Sequence, residues 1–348
     1  MLYFAAPRVL DTAERFAELR QRWPTAPLVG CTTGGEIIAD DVLDGSIVAT
    51  ACWFDATRII IAASTLDGGD RAVGARLAAA LPADGLKLVF VLSDGTHVNG
   101  TELVLGMRAV LGADVVVTGG LAGDGADFGT TKVGYNTAPI AGQVVAIGFS
   151  GPAFRLGHGS YGGWTPFGPE RRVTRSAGSV LYELDGQPAL DLYKTYLGDA
   201  AAQLPGSALH FPLSVTVDGG RSLTRTIVGI DDQAKSMTFA GDIPEGASAR
   251  LMRATADRLI DGAGKAADQV NLAADGETLA LMVSCIGRKL TLGQRSAEEI
   301  EEAGRVLGAH NRRIGFYSYG ELSPHESGGY CELHNQTMTI TVIGEVAT

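Results

Sequence analysis

Basic residues are scarce in this sequence, with 28 Lys and Arg against 39 Asp and Glu in 348 residues, and none of them gathers into a long run. The formal net charge of −11 therefore leaves no footprint for nucleic acid or for an anionic membrane surface. Cysteine is equally sparse. Cys31, Cys52, Cys285 and Cys331 are far apart and form no CxxC pair, which argues against the usual zinc spacing and against a disulfide framework. No stretch reaches the roughly 18 apolar residues that a bilayer-spanning helix needs. The first residues, MLYFAAPRVLDTAERF, carry charges every few positions instead of a basic region followed by an apolar one. This predicts no secretory leader, no membrane insertion and a cytoplasmic location. Also missing are GxSxG, HExxH, CxxCH and a convincing catalytic Cys–His pair. Their absence removes the common signatures of hydrolases and of covalently attached haem.

What is present is a globular composition: 45% hydrophobic, 19% charged, and 47 glycines scattered without a period. The patterning predicts helices over Leu10–Arg22, Asp70–Leu81, Asn99–Leu111, Ala254–Ala274 and Ser296–Ala309, with Asn99 or Thr101 as N-cap of the third. It predicts strands over Gly45–Phe54 and Arg58–Ser64, joined as a hairpin through Asp55. Further strands are expected at Leu86–Leu92, Ala113–Thr118, Gln143–Ser150 and Leu279–Ile286, then Arg313–Tyr319 and Cys331–Ile343. The glycine-rich passage Gly157–Glu170 reads as a seam. No short-period repeat is visible. Helices interleaved with hairpins predict an α+β (mixed α/β) protein of two mixed-sheet halves flanked by helices, dividing into residues 1–178 and 179–348.

Four segments carry a family resemblance. They are GCTTGGE (Gly30–Glu36), GGLAGDG (Gly119–Gly125), YELDGQPAL (Tyr182–Leu190), and GFYSYGELSPH (Gly315–His325) closely followed by CELHNQTMT (Cys331–Thr339). Their order and spacing resemble the FIST family, with its N-terminal and C-terminal parts. That resemblance implies a non-catalytic sensor of small ligands, with amino acids and related carboxylates as the proposed ligands. It also implies a separate signalling partner, such as a histidine kinase or a cyclic-di-GMP enzyme. A nitric-oxide-sensing subset of the family carries haem, so a haem-binding sensor is the alternative reading.

The residues themselves narrow the site. GCTTGGE offers backbone N–H groups that suit an oxyanion, but no Lys follows the glycines as a phosphate loop requires, and a tight corner accounts for them as well. GGLAGDG lacks the spacing of a dinucleotide fingerprint and reads as a loop lining a pocket. Alternation along Tyr330–Ile343 would set Tyr330, Glu332, His334 and Gln336 on one face, continued by apolar residues. Arg288 ends a strand and suits the gripping of a carboxylate. The expected ligand-binding set is therefore Arg288, Tyr319, Glu321, Glu332, His334 and Asn335. The competing reading makes Arg288, Glu321 and Glu332 a buried network that satisfies itself. For haem the candidate ligands are His210, His158 and His334. Cys31 or Cys285 as a nucleophile is the remaining, enzymatic reading.

Overall fold

The computed structural model describes residues 1–10, 13–217, 222–272, 276–325 and 329–346. Its fold is α+β, with mixed sheets flanked by helices. Among the described residues no helix is long and apolar enough to cross a membrane.

The core is built from one arrangement used three times. In unit I, strand Leu2–Ala5 runs through helix Ala13–Arg22 into the parallel strand Val29–Thr32, and Ile47–Thr50 pairs antiparallel on the far side of the first strand. Unit II repeats this with Leu86–Ser93, helix Gly100–Arg108, Val116–Leu121 and Gln143–Ser150. Unit III repeats it with Thr278–Cys285, helices Ile286–Leu292 and Ser296–Leu307, Asn311–Ser318 and Met338–Glu345. The registers coincide. Ala5, Ser93 and Ser284 stand opposite Thr32, Leu121 and Tyr317 on the parallel side, and opposite Ile47, Val144 and Met338 on the antiparallel side.

Each unit lends a strand to a neighbour. Glu36–Ile38 of unit I pairs with unit III, Val133–Tyr135 of unit II with unit I, and Gly320–Pro324 of unit III with unit II. The exchange closes at the centre in a ring of three equivalent backbone hydrogen bonds. Gly34 N donates to Tyr317 O (2.8 Å), Gly123 N to Thr32 O (3.0 Å) and Tyr319 N to Leu121 O (3.1 Å). Equivalent glycines permit it. A Cβ on Gly30, Gly119 or Gly315 would collide with the carbonyl oxygen of Tyr3, Val91 or Met282 respectively, and those three residues are themselves equivalent.

Between units II and III the chain leaves the core to form a separate sheet over residues 165–253, which has its own core around Val173, Leu181, Leu190, Tyr193 and Leu251. The expected seam therefore lies at Gly162–Trp164. The rest of Gly157–Glu170 is strand, Phe154–Tyr161 in the core and Thr165–Ala177 in the added sheet.

Other local expectations are corrected. No hairpin joins Gly45–Phe54 to Arg58–Ser64: Ile47–Thr50 pairs with Leu2–Ala5, whereas Arg58–Thr65 pairs with Gln143–Ser150. The long strand over Cys331–Ile343 is two strands in different sheets, Cys331–His334 and Met338–Glu345. The break falls at Gln336, whose φ of 65° no extended strand accommodates. The single face of alternating polar and apolar residues therefore does not exist. Helix Ala256–Asp268 ends before the expected Ala274, which lies with Ala273 outside the described residues, as do Asp11 and Thr12 of the first predicted helix.

Candidate functional site

A cavity of about 370 Å³ lies where the carboxyl ends of the parallel strands in units II and III meet the added sheet. Open α/β sheets bind ligands at this edge, because the strand ends and the following helix starts leave a crevice. Leu121, Cys285, Ile286 and Tyr319 form the core side. The segment Gly95–Gly100 contributes Thr96, Val98 and Asn99, and Asn99 caps its helix by accepting from Thr101 N and Glu102 N at 3.0 and 3.2 Å. The added sheet covers the opening with Thr226, Val228 and the run Thr238–Asp242.

Among the described residues, one buried side-chain polar atom of the lining residues has no partner. Thr226 is 4% exposed, and its Oγ1 is buried with no hydrogen bond, although its backbone N donates to Asn335 Oδ1 at 3.3 Å. Buried hydroxyls are almost always satisfied, so this one stands out among the residues of the lining. The two sides of the cavity touch across it, where Asn99 Nδ2 donates to Asp242 Oδ1 at 3.2 Å.

A short loop makes a third wall. Asp124 accepts from Gly129 N and Thr130 N, both at 2.8 Å, and its other oxygen accepts from the Tyr319 hydroxyl. Phe128, at a φ of 50°, stacks on Tyr319 with ring centroids 4.7 Å apart and donates its N–H to the same hydroxyl at 3.1 Å. Burial, then the Asp124 carboxylate, push the Tyr319 phenol above its ordinary value, so it stays neutral and acts as a positioning donor. This loop follows from GGLAGDG, and Leu121 of that segment lines the cavity.

The six sequence-predicted ligand residues do not converge. Of them, Tyr319 lines this cavity. Arg288 is fully buried and committed: Nε and Nη2 donate to Glu299 Oε2 at 3.0 and 2.7 Å, Nη2 also to Leu259 O at 2.8 Å, and Nη1 to Gly162 O. Ser284 Oγ and Tyr317 Oη complete Glu299 through its other oxygen, at 3.0 and 2.8 Å. The reading of Arg288 as a self-satisfied network member thus describes its surroundings, but the partner is Glu299, in place of Glu321 or Glu332. Glu332 lies instead on a neighbouring groove with Arg108 and Arg225. Asn335 is fully buried and bonds the backbone of Thr226 and His334. His334 stacks on His325 and contacts Ser323 O through Nε2 at 3.1 Å. Burial, with Arg225 and His325 nearby, pushes its imidazole down to about 3.

Glu321 is the counterpart of Glu36 in the exchanged strands, each standing one residue beyond a glycine that follows the central ring. Glu321 accepts from Ser318 Oγ (2.6 Å), Thr337 N (3.1 Å) and Thr337 Oγ1 (2.9 Å), as Glu36 accepts from Thr33 Oγ1, Ser46 N and Ser46 Oγ. Both carboxylates brace turns of the core. Burial pushes Glu321 up to about 7 from an ordinary 4.5, against its hydroxyl and N–H donors. The folded chain thus holds this proton more tightly than the unfolded one. The stability it supplies is complete below pH 4.5 and is lost as pH rises through about 7. Glu321→Gln lacks that titration, so its stability relative to the unaltered chain is expected to rise between pH 4.5 and 8. Urea unfolding across that range checks this, and parallel curves would contradict it.

The haem candidates do not fit a common cofactor site. None of His158, His210 and His334 lines the cavity. His210 is on the surface with Nδ1 3.1 Å from Thr291 Oγ1, and His158 sits in the core strand Phe154–Tyr161 with both ring nitrogens buried and unpartnered. No axial nitrogen is presented to a group in the cavity. Cys31 and Cys285 are both buried, and burial raises their thiols well above the ordinary range, which disfavours the thiolate a nucleophile requires.

Sequence reasoning missed Thr226, Asp242 and Phe128. Thr226 and Asp242 come from unremarkable strand edges, and only the folding of the added sheet onto the core gives them a common target. The GCTTGGE corner spends its backbone on the central ring, leaving the corner structural.

Comparison with known proteins adds a family and two distant likenesses. The FIST N domain matches residues 1–187 and the FIST C domain residues 189–324. An uncharacterized protein of Methanocaldococcus jannaschii, MJ1623, is 24% identical over 95% of this chain and 70% of its own length. The crystal structure of cyanuric acid hydrolase from A. caulinodans aligns with 84% of this chain and all of its own, at 12% identity and a TM-score of 0.18, a value too low to support any argument.

Proposed function

The chain belongs to the FIST family of sensory signal-transduction domains, and from that premise we propose that it is a non-catalytic receptor for a small molecule held between core and added sheet. The observation that carries this reading is the orphaned Thr226 hydroxyl on a lining otherwise rich in apolar groups. A ligand would complete Thr226 and bridge the surfaces now joined through Asn99 and Asp242. Occupancy would then favour one placement of the added sheet over another, and a separate signalling protein, such as a kinase or a cyclic-dinucleotide enzyme, would read the difference. Residues on both sides of the division at residues 178 and 179 line the cavity, and that division falls inside the added sheet. The direct test is Thr226→Val. A hydroxyl kept for the fold is missed when removed, whereas one kept for a ligand is missed only when the ligand is present.

A further inference from the structure

We propose that the cavity takes a molecule presenting N–H donors and carrying no net negative charge, such as a primary amine or a neutral amide, and rejects carboxylates and phosphates. This rests on the receptor reading of the same cavity.

The lining is matched to donors. Asp242 brings a carboxylate with room for about four hydrogen bonds, of which Asn99 Nδ2 supplies one at 3.2 Å. Thr226 brings the unpartnered hydroxyl. A hydroxyl can donate as well as accept, but the lining offers an anion no countercharge. Among the described residues around the cavity there is no Lys, Arg or His.

The guanidinium that touches the lining, Arg225, is 4% exposed and committed to carbonyl oxygens. Its Nε donates to Asp242 O at 3.1 Å, and its Nη1 donates to Leu333 O at 2.9 Å and Thr224 O at 3.4 Å. Arg288 is bound to Glu299 and two carbonyls. At the helix start beside Asn99, its Oδ1 already takes the N–H groups of Thr101 and Glu102, whereas the helix start at Cys285 and Ile286 has no side-chain cap. An anion here would lose its hydration and meet the Asp242 carboxylate, with no cationic side chain among the lining residues. Burial lowers the Arg225 guanidinium, and Asp242 and Glu332 nearby partly offset this by favouring its charged form.

The experiment uses the full chain and matched fragments: benzylamine, benzamide and benzoate, with isoamylamine and isovalerate. Saturation-transfer NMR reads binding to the unaltered protein, to Ala240→Trp, which fills the cavity from its lining, and to Asp242→Asn. The amines and the amide are expected to bind, to be lost in Ala240→Trp, and to weaken about tenfold in Asp242→Asn, the loss of one charge-assisted hydrogen bond. The carboxylates are expected to give no cavity-dependent signal. Should Ala240→Trp fail to fold, the Asp242→Asn comparison alone decides. Benzoate or isovalerate binding in the cavity as well as its amine counterpart overturns the ligand class and leaves the receptor standing. If no fragment of either kind binds in a cavity-dependent way, the receptor reading itself falls.

Discussion

Gly315→Ala is expected to destabilise the protein by about 3 kcal/mol, the upper end of the range for overpacking a core. Gly30→Ala and Gly119→Ala are expected to do the same. Each new methyl group would meet a backbone carbonyl, Met282 O, Tyr3 O or Val91 O, in the adjoining parallel strand of its own unit. Side chains rotate away from such collisions, but paired strands separate only by breaking their ladder. Gly119 adds a φ of +136°, a conformation that L side chains rarely adopt. Equivalent effects at three positions so distant in sequence follow from the threefold arrangement alone. Gly112→Ala is the control, since nothing lies within 4 Å of its added carbon. Urea unfolding of the four variants measures the differences. A tolerated alanine at Gly315, with the others damaging, would contradict the equivalence of the three units.

The second large effect is expected at Arg288. Glu299 is fully buried and both its oxygens are engaged, one by Arg288 and the other by Ser284 and Tyr317. Arg288→Ala leaves that carboxylate without a countercharge, and breaking a buried pair from one side costs about 3 to 5 kcal/mol. Removing both charges together, as Arg288→Met with Glu299→Leu, is expected to recover part of the loss, because no charge is stranded although the Ser284 and Tyr317 hydroxyls and the Leu259 and Gly162 carbonyls lose their partners. A double-mutant cycle separates the terms. If Arg288→Ala were instead fully stable and defective only in ligand binding, Arg288 would be the carboxylate anchor that its sequence position suggests.

These two predictions mark what was legible in the chain. The buried strands Leu86–Ser93, Gln143–Ser150 and Thr278–Cys285 follow from continuous apolar runs, and the Asn99 cap from its residue type. The glycine-rich corners stood out as motifs, but their purpose did not. Each serves a contact with another unit, and one sequence carries no trace of which strand a glycine must approach. The internal threefold was hidden for the same reason. The units share registers and glycines while differing in loop length, so no regular spacing survives.

The candidate site suffered more. Arg288 and Glu321 attract notice because charges are rare in apolar segments, and that rarity reflects burial with partners as readily as function. The break at Gln336 sends the two halves of a promising strand into different sheets, which dissolved the face on which Glu332 and His334 had been grouped. Thr226 and Asp242 carry no local signal. Their significance comes from what the added sheet covers.

The central claim is that this cavity exists to be filled, and Thr226→Val measures it without knowledge of the ligand. The side chain keeps its shape and loses only the hydroxyl. Since Oγ1 has no partner, its removal relieves a buried unsatisfied group. The free protein is expected to be at least as stable as before, by up to about 1 kcal/mol in urea unfolding. Thr341→Val gives the contrast, because its hydroxyl donates to Thr118 at 2.9 Å inside the core and its loss is expected to cost about 1 kcal/mol. Opposite signs for the two substitutions show that the fold makes no use of the Thr226 hydroxyl, which the receptor reading requires. A loss at Thr226 equal to that at Thr341 would place its hydroxyl in the service of the fold and contradict the receptor reading.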